Sequence, residues 1–284
     1  MDVRLENFLT LCETMNYRAA AEKLHITQPA LTRQIQGLEQ EYGAKLFRYD
    51  GRTLWKTEAC SLLEAYARSA RYNYLEIKSR LAAARIRRLR IGASKTIGEY
   101  LMGGPAAAYL GKPGRSVALT VDNTGQLLQE LDRNRLDFLI LEGIFPKERY
   151  ASRLWRMEPF VGLCAGGHPF AGRCVNPEEI LTENAFIREK GSGTRRILEQ
   201  ELEQSGYSLK SFAGYSVISS LQLIGWLVRE NLGVSFAYKA VADACGTEIF
   251  TVRGWKRDHE FNIVYLPDTG AVRYIDEFLG SFGQ

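Results

Sequence analysis

Apolar side chains recur three or four positions apart at the start of the chain, a spacing that places them on one face of an α-helix. The first stripe of this kind contains Leu5, Phe8, Leu9 and Cys12. A second short helix is predicted over residues 18–25, where Ala20 and Ala21 allow a neighbouring helix to approach closely. The chain therefore begins with two helices that share an apolar interface.

A third helix is predicted to begin near Gln28, because Thr27 can cap free helix N–H groups and Pro29 is tolerated in a first turn. Its apolar face contains Leu31, Ile35 and Leu38. The polar residues that point away from this face are Gln28, Thr32, Arg33 and Gln36. This arrangement is typical of a helix-turn-helix that reads the major groove of DNA. A three-helix bundle without a nucleic-acid role gives the same apolar pattern.

Residues 47–57 predict a β-hairpin, because Asp50-Gly51 is a strong turn sequence between two short strand-forming runs. A hairpin that follows a helix-turn-helix is a wing. Arg52 and Lys56 are placed on it to contact the DNA backbone or the minor groove.

Residues 58–86 contain no Pro or Gly and carry small and apolar residues at helical spacing, which predicts one long helix that pairs with its own copy. The seam is rich in Ala and Tyr, so other contacts must help to hold the dimer. Residues 59–95 contain nine Lys and Arg and only two Glu. This basic stripe either faces nucleic acid phosphates or is a solvated helix face. Four arginines at the far end of the helix indicate a hinge: Arg85, Arg87, Arg88 and Arg90.

Beyond residue 88, short β-rich runs alternate with amphipathic stretches, which predicts βαβ units and a sheet with parallel strands. The predicted strands are 89–93, 117–121, 138–141, 185–188, 233–237 and 261–266. The predicted helices are 97–110, 126–136, 194–205, 219–230 and 271–282. The last two thirds of the chain therefore predict an α/β domain.

Three segments of this domain lie at predicted strand ends or helix starts, where free N–H groups favour anions. They are Ser94, Lys95 and Thr96; Asn123 and Thr124; and Gly191, Ser192, Gly193 and Thr194. The two glycines of the last segment let backbone N–H groups converge, although an ordinary helix cap also explains its hydroxyls. Lys95 either neutralises a bound charge or is simply solvated. Together the three segments predict a site for a small anionic effector.

Composition sets the class of protein. The 284-residue chain is 45% apolar and carries a net charge of +4, which fits two or three globular domains. No run approaches the roughly 18 apolar residues of a membrane helix, and the first residues lack a signal-peptide pattern. We therefore expect a cytoplasmic protein. Five scattered cysteines without a CxxC argue against disulfides and structural zinc.

A catalytic function has little support, because the three histidines are isolated and no HExxH, GxSxG or GxxxxGK[ST] motif occurs. We expect no enzyme activity, no cofactor and no metal. Cys164, His168 and Cys174 lack the further ligands that a zinc site needs. A thiol switch would have to use Cys164 and Cys174. The main alternative to DNA regulation is a stand-alone ligand-binding protein.

Residues 16–39, NYRAAAEKLHITQPALTRQIQGLE, with 43–47, GAKLF, resemble the N-terminal winged helix-turn-helix of LysR-type transcriptional regulators. The resemblance implies that residues 28, 29, 32 and 33 meet base edges or flanking phosphates. The full predicted DNA-binding set is Arg18, Thr27, Gln28, Pro29, Thr32, Arg33, Gln36, Arg52 and Lys56. One departure is Cys60, which replaces a glycine usual in the family, so entry into the next helix is expected to differ slightly.

The resemblance also implies an architecture. A winged helix-turn-helix (1–58) and a dimerisation helix (59–88) precede an α/β effector domain (89–284) similar to periplasmic binding proteins. Its two subdomains cover about 89–162 with 265–284, and about 163–264, with crossings near residues 160–164 and 263–266. The effector binds between them.

The partners implied are promoter DNA, a small-molecule effector, further copies of the chain in a dimer or tetramer, and RNA polymerase. Residues 91–101 and 188–195 also resemble the branch of the family that includes sulfur-assimilation regulators, whose effector is not carried over.

Overall fold

The computed structural model describes residues 1–81, 88–142 and 145–281, which divide into two compact units. The first unit consists of Met1–Arg85 with the short segments Asp132–Asn134 and Leu266–Val272. The second consists of Ile86–Leu131, Arg135–Tyr265 and Arg273–Gln284. Several predicted positions lie outside the described residues, namely the last part of the long helix, Arg85, Arg87 and Phe282.

Three helices open the first unit, as the apolar spacing predicted. They are α1 (Val3–Thr14), α2 (Tyr17–Lys23) and α3 (Gln28–Tyr42). Every apolar residue that defined the predicted stripes of α1 and α3 is buried. The Thr27 side chain accepts a hydrogen bond from the Ala30 N–H at 3.3 Å, which confirms the predicted cap of α3.

The predicted hairpin and long helix follow α3. The hairpin pairs β1 (Phe47–Tyr49) with β2 (Leu54–Lys56), and the helix is α4 (Glu58–Leu81). Gly51 takes the left-handed conformation at φ 90°, which the tight turn requires. Cys60 is buried, with its Sγ 3.8 Å from the Sγ of Cys12, so the cysteine adds to the core at the start of α4.

Arginines of the basic stripe bind within the first unit. Arg68 is buried and donates to Glu64 at 2.5 Å and to the Asp132 carbonyl at 2.7 Å. Arg71 donates to the Asn134 side chain at 2.6 Å. These two residues are therefore neither on a solvated face nor available to phosphates, because their donors are used inside the protein.

The second unit contains a ten-stranded sheet with the strand order β4-β3-β5-β12-β6-β10-β8-β9, and β11 joins β6 to β7. The strands are β3 (Arg88–Ser94), β4 (Ser116–Asp122), β5 (Phe138–Glu142), β6 (Ala151–Cys164), β7 (Cys174–Val175), β8 (Asn184–Ile187), β9 (Gly214–Val217), β10 (Val234–Tyr238), β11 (Glu248–Val252) and β12 (Asp258–Tyr265). β3 is parallel to β4 and β5, and β8 is parallel to β9 and β10. The predicted parallel pairing is confirmed at both ends of the sheet.

Helices cover the sheet. They are α5 (Lys95–Tyr100), α6 (Gly103–Leu110), α7 (Thr124–Asp132), α8 (Pro177–Ile180), α9 (Gly193–Gln204), α10 (Leu221–Arg229), α11 (Lys239–Cys245) and α12 (Ala271–Leu279), with a 3₁₀ turn at Leu209–Ser211. The single helix predicted over 97–110 is wrong. The chain breaks at Leu101 and restarts at Gly103, because Gly-Gly-Pro suits a first turn rather than a helix interior.

The long strand β6 connects the two halves of the sheet. Residues 151–159 pair with β12, and Phe160 onward pairs with β10, which confirms the predicted first crossing. The return was predicted at 263–266, but β12 pairs with β6 already from Asp258, and the Phe160 N–H donates to the Arg257 carbonyl. The apolar run at residues 263–266 therefore lies inside β12, and the second crossing comes earlier in the chain, near residue 258.

Among the helices in the described ranges, none combines the length and the apolar character needed to cross a lipid bilayer.

A close contact between the paired strands β6 and β11 leads to a first prediction. A Cβ on Gly162 would overlap the ring of Phe250, whereas a Cβ on Gly104 would meet no atom within 4 Å. Overpacking of this kind costs about 1–3 kcal/mol. Gly162→Ala should therefore lower the free energy of unfolding by about that amount in urea titrations followed by circular dichroism. Gly104→Ala is the control, and an equal loss in both variants would contradict the prediction.

Candidate DNA interface and effector site

Helix α3 presents a polar face to solvent. Gln28, Thr32 and Gln36 follow one another at intervals of four residues, so they form one row along the helix. Arg33 lies beside this row and is exposed. Thr32 is half-buried and donates its hydroxyl to the Gln28 carbonyl at 3.0 Å. The exposed amide and guanidinium groups on this face can hydrogen bond with base edges.

The remaining predicted DNA contacts have different surroundings. Thr27 and Pro29 are exposed at the start of α3, where Thr27 also caps the helix. Arg18 is exposed on α2 and pairs with Glu22 at 3.1 Å. Lys56 is half-buried, and its ammonium lies 2.6 Å from the Glu64 carboxylate. Arg18 and Lys56 are therefore both paired with carboxylates of the protein, and Lys56 is the less exposed of the two.

Asp50 organises the tip of the wing. Its carboxylate accepts hydrogen bonds from the N–H groups of Thr53 at 2.7 Å and Arg52 at 3.0 Å, and from the Trp55 indole at 2.9 Å. These bonds, led by that of Thr53, lower the pKa of Asp50 to about 2. The turn is thus held by a carboxylate that stays charged, with Arg52 exposed beside it.

The predicted effector residues separate into two groups in the structure. The first group is the hydroxyl cluster, which we define as Ser94, Thr96 and Thr194. All three hydroxyls donate to the carboxyl group of Glu142, Thr96 and Thr194 each at 3.3 Å to Oε1, and Ser94 through a short bond to Oε2. These residues are buried, so a side chain of the protein already fills the cluster.

Glu142 is fully enclosed at the end of β5. Burial raises the pKa of its carboxyl group, although the hydrogen bond from Ser94 and the positive charge of Arg188 act in the opposite direction. Arg188 itself is buried and binds Glu189 through Nε at 2.8 Å. Lys95 also lies 3.2 Å from Glu189, so this predicted cation is paired with a carboxylate of the protein.

The second group lies at an open cavity of about 510 Å³, here called the anion cavity. Its wall includes Thr124, Gly125, Lys190, Gly191, Ser192 and Gly193. Arg195, Arg196 and Glu199 also line it, and Arg195 binds Glu199 at 2.8 Å. Helices α7 and α9 both begin at this cavity. Their first turns supply it with free N–H groups and with the positive ends of two helix dipoles.

One polar atom of the anion cavity is unusual. Thr124 is only 6% exposed, and its hydroxyl has no hydrogen-bond partner among the described residues. A buried hydroxyl without a partner destabilises a protein, so this group needs a hydrogen-bond partner that the described residues do not supply. Two neighbours act as ordinary caps, because Asn123 Oδ1 accepts from the Gln126 N–H at 2.9 Å and Ser192 Oγ from that of Arg195 at 3.5 Å.

Sequence reasoning missed several residues of these sites. Glu142 directly follows the apolar run of β5, and a charged residue at the carboxyl end of a buried strand was the available signal. The cations Lys190, Arg195 and Arg196 flank the glycine-rich segment that was singled out. Within the described residues, no group of three or more His, Cys, Asp or Glu side chains is arranged to hold a metal ion.

Comparisons with known proteins agree with this architecture. The RuBisCO operon transcriptional regulator of Allochromatium vinosum is 29% identical over 237 residues, which cover 82% of this chain and 77% of that protein. The HTH-type transcriptional regulator CysL of Bacillus subtilis (strain 168) is 29% identical over 248 residues, 84% of this chain and 80% of CysL. A full-length OxyR variant from Pseudomonas aeruginosa has the same fold, with a TM-score of 0.61, 22% identity, and coverage of 99% of this chain and 94% of OxyR.

Family assignment rests on both parts of the chain. Residues 3–61 match the bacterial regulatory helix-turn-helix proteins of the lysR family. Residues 82–284 match the LysR substrate binding domain. The predicted resemblance is confirmed, and the chain belongs to the LysR-type transcriptional regulators, which are DNA-binding proteins with an effector domain rather than enzymes.

Proposed function

We propose that this LysR-type regulator reads a specific DNA site with α3 and its wing, under the control of a small anion bound in the anion cavity. The observation that carries the effector part is the buried Thr124 hydroxyl at the meeting point of two helix starts. We expect the protein to bind this DNA in the cytoplasm, in line with the sequence analysis.

The exposed face of α3 supplies the base contacts. Arg33 can pair bidentately with guanine, and Gln28 and Gln36 can pair with adenine. Arg52, at the wing, contacts backbone phosphates or the minor groove. Lys56 contributes less to binding than Arg52, since its charge is balanced by Glu64.

Helix α4 supports self-association. It exposes large apolar side chains at positions 62, 66, 74, 77 and 81. Monomeric proteins seldom expose so many apolar side chains along one helix. Pairing of two α4 helices would cover them and place two copies of α3 on two DNA half-sites. A tetramer and a contact with RNA polymerase are further predicted partners.

The anion cavity suits a small oxyanion. Two first turns supply N–H groups, Thr124 supplies a hydroxyl, and the exposed side chains of Lys190 and Arg196 supply positive charge. The carboxylate of Glu199 is balanced by Arg195. Phosphate, sulfate and carboxylate groups all meet these requirements.

Control of DNA binding follows from where the cavity lies. Helix α7 belongs to the first predicted subdomain and α9 to the second, so an anion held by both favours the arrangement in which their first turns are close. The effector acts by binding this arrangement better than one in which the turns are apart.

Arg33→Ala tests base reading by α3. If Arg33 pairs with a base, the change should cost about 1–3 kcal/mol on the specific site and relax specificity at one position. The specific site comes from selection of random DNA with the unaltered protein, and affinity is measured by fluorescence anisotropy. Lys210→Ala, which removes an exposed positive charge from the second unit, is the control.

Arg52→Ala gives the contrasting pattern. A phosphate contact is lost equally on specific and random DNA, and the slope of log K against log salt should fall by about 1. An equal loss on both DNAs for Arg33→Ala would contradict base reading and make Arg33 a phosphate contact as well.

Thr124→Val tests the anion cavity. Thermal unfolding of the full chain is measured with inorganic phosphate, sulfate and succinate, and an ion at about 100 times its Kd should add about 2.7 kcal/mol of stability. Valine keeps the shape of threonine but removes the hydroxyl, so the affinity for that ion should fall about tenfold or more.

The matched control is Thr120→Val, on the exposed side of β4. It should leave the ion-dependent shift unchanged. The proposal fails if none of the ions stabilises the protein, or if Thr124→Val binds them as tightly as the unaltered chain.

A further inference from the structure

Two cysteines that are far apart in the sequence meet in the core of the first unit. Cys12 lies on α1 and Cys60 lies in the first turn of α4, and their Sγ atoms are 3.8 Å apart. Cys12 is 4% exposed and Cys60 is fully buried. The two thiols therefore face each other across the contact between these helices.

The two cysteines that the sequence left for a thiol switch do not meet in this way. Cys164 on β6 lies opposite Glu248 of β11, and Cys174 on β7 lies opposite Thr251 of the same strand. Because β11 lies between them, they are two strand spacings apart, about 10 Å. A disulfide needs Cα atoms within about 7 Å, so this pair cannot form one without moving the backbone.

A bond between Cys12 and Cys60 would close a long loop. The two residues are 48 positions apart in the sequence, and the chain between them contains α2, α3 and both strands of the wing. We call residues 13–59 the DNA-reading segment. A disulfide restricts the unfolded chain, and this effect grows with the length of the closed loop. A cross-link at this position therefore stabilises the whole segment that carries the predicted base contacts.

We propose that Cys12 and Cys60 form a reversible disulfide that fastens the two ends of the DNA-reading segment together, with a low-molecular-weight disulfide as the oxidant. Rotation of the two side chains has to bring the sulfurs from 3.8 Å to the bond length of about 2.05 Å. This inference does not depend on the anion cavity, which lies in the second unit.

The reaction proceeds by two thiol–disulfide exchanges. The Cys60 thiolate attacks one sulfur of the small disulfide, which forms a mixed disulfide and releases one small thiolate. Cys12 then loses its proton and attacks the Cys60 sulfur, which releases the second small thiolate. In total the two cysteines lose two protons and two electrons, and the small disulfide becomes two small thiols.

The order of the two steps follows from the positions of the sulfurs. Cys60 lies in the first turn of α4, where the positive end of the helix dipole stabilises a thiolate. The hydrogen bond with Cys60 and burial raise the pKa of the Cys12 thiol, so Cys12 keeps its proton until the second step. Since both thiols are buried, the oxidant reaches them only when the contact between α1 and α4 opens locally. Oxidation is therefore slow, and the closed fold shields the product from reductants.

The first experiment looks for the bond in the unaltered, full-length protein. The protein is equilibrated at increasing ratios of oxidised to reduced glutathione, from both the reduced and the oxidised side, and free thiols are then blocked with N-ethylmaleimide. Trypsin releases Cys12 in peptide 5–18 and Cys60 in peptide 57–68, so mass spectrometry identifies the cross-link as one linked pair of peptides. This pair should accumulate as the ratio rises, whereas the exposed Cys174 should carry only glutathione. Dithiothreitol should restore the free thiols.

The second experiment measures the effect of the bond on stability. The first unit of the oxidised protein should melt several degrees above that of the reduced protein, and dithiothreitol should remove the difference. Cys60→Ala should abolish the rise. Cys174→Ser, which removes an exposed thiol outside the first unit, is the matched control and should leave the rise unchanged.

Three outcomes would overturn the proposal. The first is that Cys12 and Cys60 stay free or carry only glutathione at every ratio. The second is a cross-link that leaves the melting temperature of the first unit unchanged or lowers it. The third is an equal rise in Cys60→Ala, since another thiol would then be responsible. The first two are measured on the unaltered chain, so they decide the matter even where Cys60→Ala does not fold.

Discussion

A buried polar group must find a partner, and this constraint governs the carboxyl ends of the strands in the second unit. The sheet brings hydroxyls and free helix N–H groups to one region, where they require acceptors. The chain meets part of this requirement itself, because Glu142 accepts from the hydroxyls of Ser94, Thr96 and Thr194. The Thr124 hydroxyl has no such partner among the described residues, and we propose that it binds the effector. The hydroxyl cluster is therefore filled by a side chain of the protein, whereas the anion cavity is open.

Packing and hydrogen bonding also decide which polar side chains of the first unit face solvent. Burial of Leu31, Ile35 and Leu38 fixes the rotation of α3, so its amide and guanidinium side chains face solvent. Arg68 and Arg71 are basic as well, but their hydrogen bonds lie inside the unit. Charge alone therefore does not distinguish the surface that we propose binds DNA, because the partners of each cation decide whether it is available to phosphates or bases.

Periodicity predicted most helices of the fold, because apolar residues three or four positions apart lie on one face of an α-helix and not on one face of a strand. It failed at residues 97–110, where local Gly-Gly-Pro chemistry splits one predicted helix in two. The candidate effector residues do lie at strand ends and helix starts, as their sequence pattern predicted. Their division into a filled cluster and an open cavity could not be predicted, because it depends on where Glu142 points. That direction is set by packing between residues that lie far apart in the sequence, such as Glu142 and Gly193.

The most direct test of this account is to locate a bound oxyanion by anomalous scattering from selenate in crystals of the full-length protein. The account predicts a peak in the anion cavity, within hydrogen-bond distance of the Thr124 hydroxyl and the first turn of α9, with Glu142 still bound to the hydroxyl cluster. A selenate peak among Ser94, Thr96 and Thr194, with the Glu142 side chain displaced, would contradict it.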